Sequence, residues 1–199
     1  MLEIEIKPNL LDRKRKLIIS PDIITYDDSN WKDIPDTTFG KGEVAAYRFG
    51  IEPLQGYAFT IGRRYNIDIM GINNQVMKIR FISLYGIRNK ELWQKYSTIL
   101  DALFKTHHED IFDRCVDSYN KTSSIEILGT RFGPNSLNFG PEELPYSDVG
   151  FKAYNTYFAL FSKSNPKVYK SYSYLKDWNA GIAYSIAKRI IDDINLPPI

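Results

Sequence analysis

A chain of 199 residues that is 43% hydrophobic and 25% charged is an ordinary globular mixture with enough apolar material for a buried core, and disorder is excluded. No apolar run approaches the roughly 20 residues of a membrane-spanning helix, and the opening Met1-Leu2-Glu3-Ile4-Glu5-Ile6 is acidic where a secretory leader is basic, so a soluble cytoplasmic protein is expected. The single Cys115 excludes an intramolecular disulfide and a cysteine-based zinc site, and the net charge of +2 is too small to name a partner by itself.

With 14 Tyr, 11 Phe and 3 Trp the composition favours strands. Lys16 to Tyr26 reads as two short strands around the turn Ser20-Pro21-Asp22, and Asp27 to Gly42, rich in Asp, Ser, Asn, Pro and Gly, as a loop. Strand patterns follow at Glu43–Phe49, Tyr57–Ile61, Tyr65–Met70 and Val76–Ser83, with a hairpin connection at Gly71-Ile72-Asn73-Asn74-Gln75. In the last strand Met77, Ile79 and Phe81 alternate with Lys78 and Arg80, as in a half-buried antiparallel strand.

The period changes after Gly86. Asn89 is placed to cap a helix whose stripe is Leu92, Tyr96, Ile99, Leu100, Leu103 and Phe104. His107-His108-Glu109-Asp110 interrupts the stripe before Ile111, Cys115, Val116 and Tyr119 resume it, which allows one long helix or two with a break near His107.

About five strand runs then occupy Ser124 to Leu175, with turn signals at Gly133-Pro134-Asn135-Ser136 and Ser164-Asn165-Pro166-Lys167. A last amphipathic helix is expected from Asp177 or Trp178, striped by Ile182, Ile186, Ile190 and Ile194 and stopped by Leu196-Pro197-Pro198. Both halves thus run from strands through a hairpin to a helix opening at a tryptophan, Trp93 or Trp178, and the order suggests a degenerate repeat.

That plan resembles the pleckstrin-homology-like (PH-like) fold, twice over. The likeness to bacterial PH-like proteins rests on Phe59-Thr60-Ile61-Gly62-Arg63-Arg64-Tyr65-Asn66-Ile67 before the first hairpin, on Leu144-Pro145-Tyr146-Ser147-Asp148-Val149, and on Trp178-Asn179 at the last helix. It implies an α+β chain of two units, each a curved antiparallel sheet or partial barrel closed by a C-terminal amphipathic helix. Their expected limits are 1–106 and a shorter 122–199, joined by a helical connector over 107–121. The resemblance also implies a binding or scaffolding module without catalysis or cofactor, although fold alone does not choose the ligand.

Candidate chemistry lies in the charge distribution. Ile69 to Lys90 and Val149 to Lys176 contain no Asp or Glu; the first stretch holds Lys78, Arg80, Arg88 and Lys90, the second Lys152, Lys163, Lys167, Lys170 and Lys176. If the lysines share a face with Tyr154, Tyr157, Tyr169 and Tyr172, the surface suits an anionic headgroup or a phosphorylated or acidic peptide. The contacts expected are Lys78, Arg80, Lys163, Lys167 and Lys170; nucleic acid is not an expected partner. The plainer account is that acids are depleted from strands and that edge lysines prevent edge pairing. The run Arg13-Lys14-Arg15-Lys16 and the pair Arg63-Arg64 are further basic segments, more commonly solvated flanks.

Neither histidine has a ligand-type residue four positions on, so no metal site is expected, and a polar helix break accounts for the pair. Cys115 lies on an apolar stripe and reads as a structural thiol. No nucleophile elbow, phosphate loop or zinc-protease motif occurs. The alternatives to a binding module are an oligomer joined through strand edges or the long helix, and an enzyme whose pocket would gather His107, His108 or Cys115 with acids.

Overall fold

Two units make up the chain, Met1–Ile111 and Phe112–Ile199. The computed structural model describes residues 1–29 and 34–195, without the side chains of 192–195. It is a mixed α+β protein: its strands form four antiparallel sheets, and among the described residues none of these sheets closes into a barrel.

In unit one, β1 (Leu2–Ile6), β2 (Arg15–Ile19), β3 (Ile23–Tyr26) and β4 (Thr37–Gly40) pair in sequence order. Period-two alternation sends Leu17, Ile19, Ile24, Tyr26 and Phe39 into the core. The expected turn at Ser20 is present, its hydroxyl oxygen accepting the N–H of Asp22 at 3.3 Å and of Ile23 at 3.2 Å. Two strands lie outside the expected pattern. Leu2-Glu3-Ile4-Glu5-Ile6 alternates strictly and pairs with β2, and β4 emerges from the expected loop.

The second sheet of unit one holds β5 (Val44–Gln55), β6 (Thr60–Gly71) and β7 (Val76–Leu84). The two runs expected at Tyr57–Ile61 and Tyr65–Met70 are one strand from Thr60 onward, because Gly62 carries the chain past β7. A Cβ at Gly62 would stand 2.2 Å from Ser83 O. Tyr65, Ile67, Ile69, Met77, Ile79 and Phe81 are fully buried, with the Tyr65 and Phe81 rings stacked at 5.0 Å.

Against this core lies α1 (Asn89–Leu103), which continues without a break through a π-helical turn, Phe104–His108, into α2 (Glu109–Thr122). The wider turn holds an extra residue, and Leu103, His107 and Ile111 on either side of and within it are all buried. Asn89 is not the cap: it is the first helical residue, its Oδ1 accepts the Tyr65 hydroxyl at 2.8 Å, and Arg88 precedes it at φ 57°. Trp93, in the first turns of the helix, is half exposed. Units divide at Ile111, inside this helix, so the stretch expected as a separate connector is shared between them.

Among the described residues unit two has seven strands rather than about five. β8 (Ile125–Ile127), β9 (Thr130–Phe132), β10 (Ser136–Phe139) and β11 (Glu142–Pro145) form one sheet, and β12 (Val149–Ala153), β13 (Tyr157–Ser162) and β14 (Tyr169–Ser173) the other. The run Ile125–Phe132 folds on itself at Leu128-Gly129, both at positive φ (55° and 65°), the geometry of a two-residue hairpin turn. Val149–Leu160 divides at a turn in which Tyr154 N–H donates to Tyr157 O at 2.9 Å. The last helix, α3 (Ala180–Asn195), begins just beyond Trp178 and buries Ile182, Ala183 and Ile186. The proposed stop at Leu196-Pro197-Pro198 and the side chain of Ile194 lie outside the described residues.

Candidate binding site

The outer face of the β12–β13–β14 sheet carries an open trough of about 680 Å³. Its architecture follows from register. Lys152, Ala159 and Ser171 align across the three strands as the central row. One row away Tyr157 lies beside Ser173, and in the other direction Phe161 lies between Gly150 and Tyr169. The small side chains of Ala159 and Ser171 are the floor and the aromatic rows are the walls, which stand four residues apart along β13, or roughly 13 Å.

Both walls are fixed by local chemistry. Tyr154 and Tyr157 stack at 4.5 Å across the β12–β13 turn. At the other end the Phe161 ring lies over Gly150, where a Cβ would be 2.3 Å from the ring, so a glycine is required on β12 for the ring to cover the edge strand. The β13–β14 turn behind this wall is tied down by Asp148, which accepts the hydroxyl of Ser162 at 2.5 Å and the N–H and hydroxyl of Ser164 at 2.8 and 3.0 Å. The Ser162 hydroxyl and the Ser164 donors hold the Asp148 carboxyl below its usual range. Pro166 of this turn reaches the trough.

Lys152 and Lys176, both exposed, line the trough, with the Lys152 ammonium 5.2 Å from the centre of the Tyr154 ring. Asp177 also borders it, but its carboxylate accepts the Ser173 N–H at 2.7 Å. Tyr169 is 64% exposed and presents a ring face. The site therefore offers aromatic surface, two cations and the hydroxyls of Thr156, Ser171 and Ser173.

The expected contact residues are scattered relative to this trough. Lys167 sits beside Pro166 on the exposed turn, and Lys163 donates to Ser147 O at 3.1 Å. Lys170 faces the interior side with Tyr172, and its ammonium donates to Leu128 O at 2.6 Å and Gly129 O at 2.8 Å, bracing the turn of two positive-φ residues. Burial lowers its pKa. Tyr172 is buried and shares a hydrogen bond with the Thr130 hydroxyl, so only three of the four expected tyrosines reach the outer face. In unit one Lys78 is exposed, whereas Arg80 is paired with buried Asp68 and donates to Ile67 O and Ile79 O. Lys152 and Lys176 lie in the acid-free stretch but outside the expected contacts; strand parity, which sets Lys152 two residues from Tyr154, is the signal that picks out the first.

No protein-family model matches this chain, and no curated protein matches it. The site must speak through its own chemistry. Other sequence features are accounted for internally. Each member of the basic run meets an acid: Arg13 with Asp27, Lys14 with Glu5, Arg15 with Asp12 and Lys16 with Glu3. His107 Nε2 donates to Ser20 O at 2.8 Å and His108 Nδ1 bonds the Tyr47 hydroxyl, and burial lowers the pKa of both rings. Burial pushes the half-buried Cys115 thiol up, away from the thiolate form a nucleophile needs.

Proposed function

We propose that this chain is a non-catalytic recognition module, PH-like in each of its two units, and that the trough on β12–β14 binds an extended acidic segment of a partner protein. The observation that carries this reading is the trough itself, a floor of Ala159 and Ser171 between aromatic walls with Lys152 and Lys176 at its rim. Its volume falls within the range of ligand-binding clefts. Apolar or aromatic side chains of the segment would occupy the floor, and its carboxylates or phosphates would meet the two ammonium groups. A concave trough admits a chain that enters it, whereas a flat bilayer would touch only its walls. The PH-like part of the reading is supported by the order in each unit of a four-stranded sheet, a three-stranded sheet and then a helix.

Titration with an array of Asp- and Glu-rich peptides containing tyrosine or phosphotyrosine, followed by tyrosine fluorescence or amide chemical shifts, tests this. Binding should weaken about tenfold between low and moderate salt and be lost in Ala159→Phe, which fills the floor. Binding that survives both Ala159→Phe and charge reversal at Lys152 and Lys176 would overturn the assignment.

A further inference from the structure

Unit one carries a second exposed surface, none of whose residues lines the trough. The β5–β6 hairpin closes with Gly56 N–H donating to Phe59 O at 2.8 Å, and it leaves Tyr57 fully exposed and Phe59 63% exposed. From Pro53 to Gly62 the sequence carries no charge. Two uncovered rings on an uncharged hairpin tip mark an interaction surface rather than a solvated loop. The tip is convex, a knob without a pocket of its own to fill.

Directly beside its stem the same unit has a hollow of about 270 Å³, lined by Ile61, Gly62, Arg63, Ser83, Tyr85 and Gly86. The turn after β7 is held against the stem by Tyr85 N–H donating to Ile61 O at 2.8 Å. Glycines keep the hollow open, since Gly62 can bear no side chain and Gly86, at φ 73°, has nothing within 4 Å of where a Cβ would be. Tyr85 is 70% exposed, with Ile87 and Trp93 about half exposed.

A knob and a hollow side by side on one surface are self-complementary under a twofold rotation, which brings each knob to the other copy's hollow. We propose that the chain pairs with a second copy of itself through this end of unit one, Tyr57 and Phe59 of each copy entering the hollow beside Tyr85 of the other. Arg63 supplies a cation for the face of an incoming ring, and Tyr85 a ring to pack against. The next charges along the stem are already matched, Arg64 bridging to Glu52 at 3.1 Å. Five side chains of the large apolar class, each half exposed or more, offer on the order of 700 Å² per copy, and a pair would bury about 1,400 Å², the size of a specific interface.

Sedimentation of the full chain from micromolar to millimolar concentration tests the pairing. A dimer is expected, weakened about 100-fold by Tyr57→Ser together with Phe59→Ser and about fivefold by Arg63→Gln, with an unchanged circular dichroism spectrum because the tip is exposed. In a Cys115→Ser background, a mixture of Tyr57→Cys and Tyr85→Cys copies should form a mixed disulfide on addition of oxidised glutathione, which is reduced to two glutathione thiols. A monomer throughout, a dimer indifferent to the paired serine substitutions, or a dimer without the mixed disulfide would each overturn the proposal. A monomer that instead sediments with vesicles containing anionic lipid would overturn it and assign the tip to a membrane surface. Charge reversal at Lys152 and Lys176 should leave the dimer intact, which separates this surface from the trough.

Discussion

The two three-stranded sheets are built alike, yet their outer faces have opposite characters. In unit one the face is closed by its own charges. Asp68, only 2% exposed, receives the Arg48 guanidinium at 2.9 Å and that of Arg80, so both arginines are committed within the fold. Among the described residues the corresponding face of unit two has no buried acid; its central row is Lys152, Ala159 and Ser171, and its rings stand as walls on either side of that row. Basic residues recur on both sheets, but in unit one Arg48 and Arg80 share a buried acid, whereas in unit two Lys152 and Lys176 border the trough. A positive residue marks a binding surface only when the neighbouring strand does not already neutralise it.

Substitutions that exchange or remove these characters sharpen the contrast. The largest effect is expected at Asp68→Ala, which leaves two arginines without their shared carboxylate and should cost about 2–3 kcal/mol in urea unfolding, less than a fully buried pair because the arginines remain about a third exposed. Lys170→Met in unit two should cost about 1–2 kcal/mol through the unmet carbonyls of Leu128 and Gly129. Leu128→Gly should act in the other direction, stabilising by about 1 kcal/mol as the positive-φ strain is relieved. Ser171→Ala on the open floor should change stability by less than about 0.5 kcal/mol.

Between about pH 7 and pH 5 the response to pH should arise in unit one, since both histidines lie in it. Their folded pKa values are below the ordinary 6.5, so the unfolded chain binds protons first as pH falls. Stability is full above about pH 6.5 and declines toward the lower folded values. Urea midpoints between about pH 7 and pH 5 should fall, and His107→Gln with His108→Phe should flatten the slope.

Much of the element order was legible in the sequence, because period-two alternation and the aromatic content mark strands, and the stripe from Leu92 to Tyr119 marks the long helix. What a linear reading loses is the neighbour across the ladder. The acid-free stretch opens at Ile69, one residue after the carboxylate that neutralises Arg80, and only the β6–β7 register brings Asp68 beside that strand. Lys170 eluded the same reading because Tyr169-Lys170-Ser171-Tyr172 places a tyrosine on each face, so parity is ambiguous until Tyr172 is seen buried. The strand count of unit two was short because two of its hairpins turn within short spans, Leu128-Gly129 and Tyr154 to Tyr157, each marked by a single turn-favouring residue, Gly129 or Asn155, rather than by a cluster. The π-helical turn left no mark beyond two histidines in an apolar stripe.

The glycine under Phe161 makes the trough's width adjustable by a single methyl group. An alanine at position 150 would meet the ring at 2.3 Å and lift it from the edge strand, narrowing the gap toward Tyr154 and Tyr157 while every strand stayed in place. Proteins built on the same two sheets could thus diverge in what they grip through one position that touches no ligand, and that position would drift with partner choice rather than with fold.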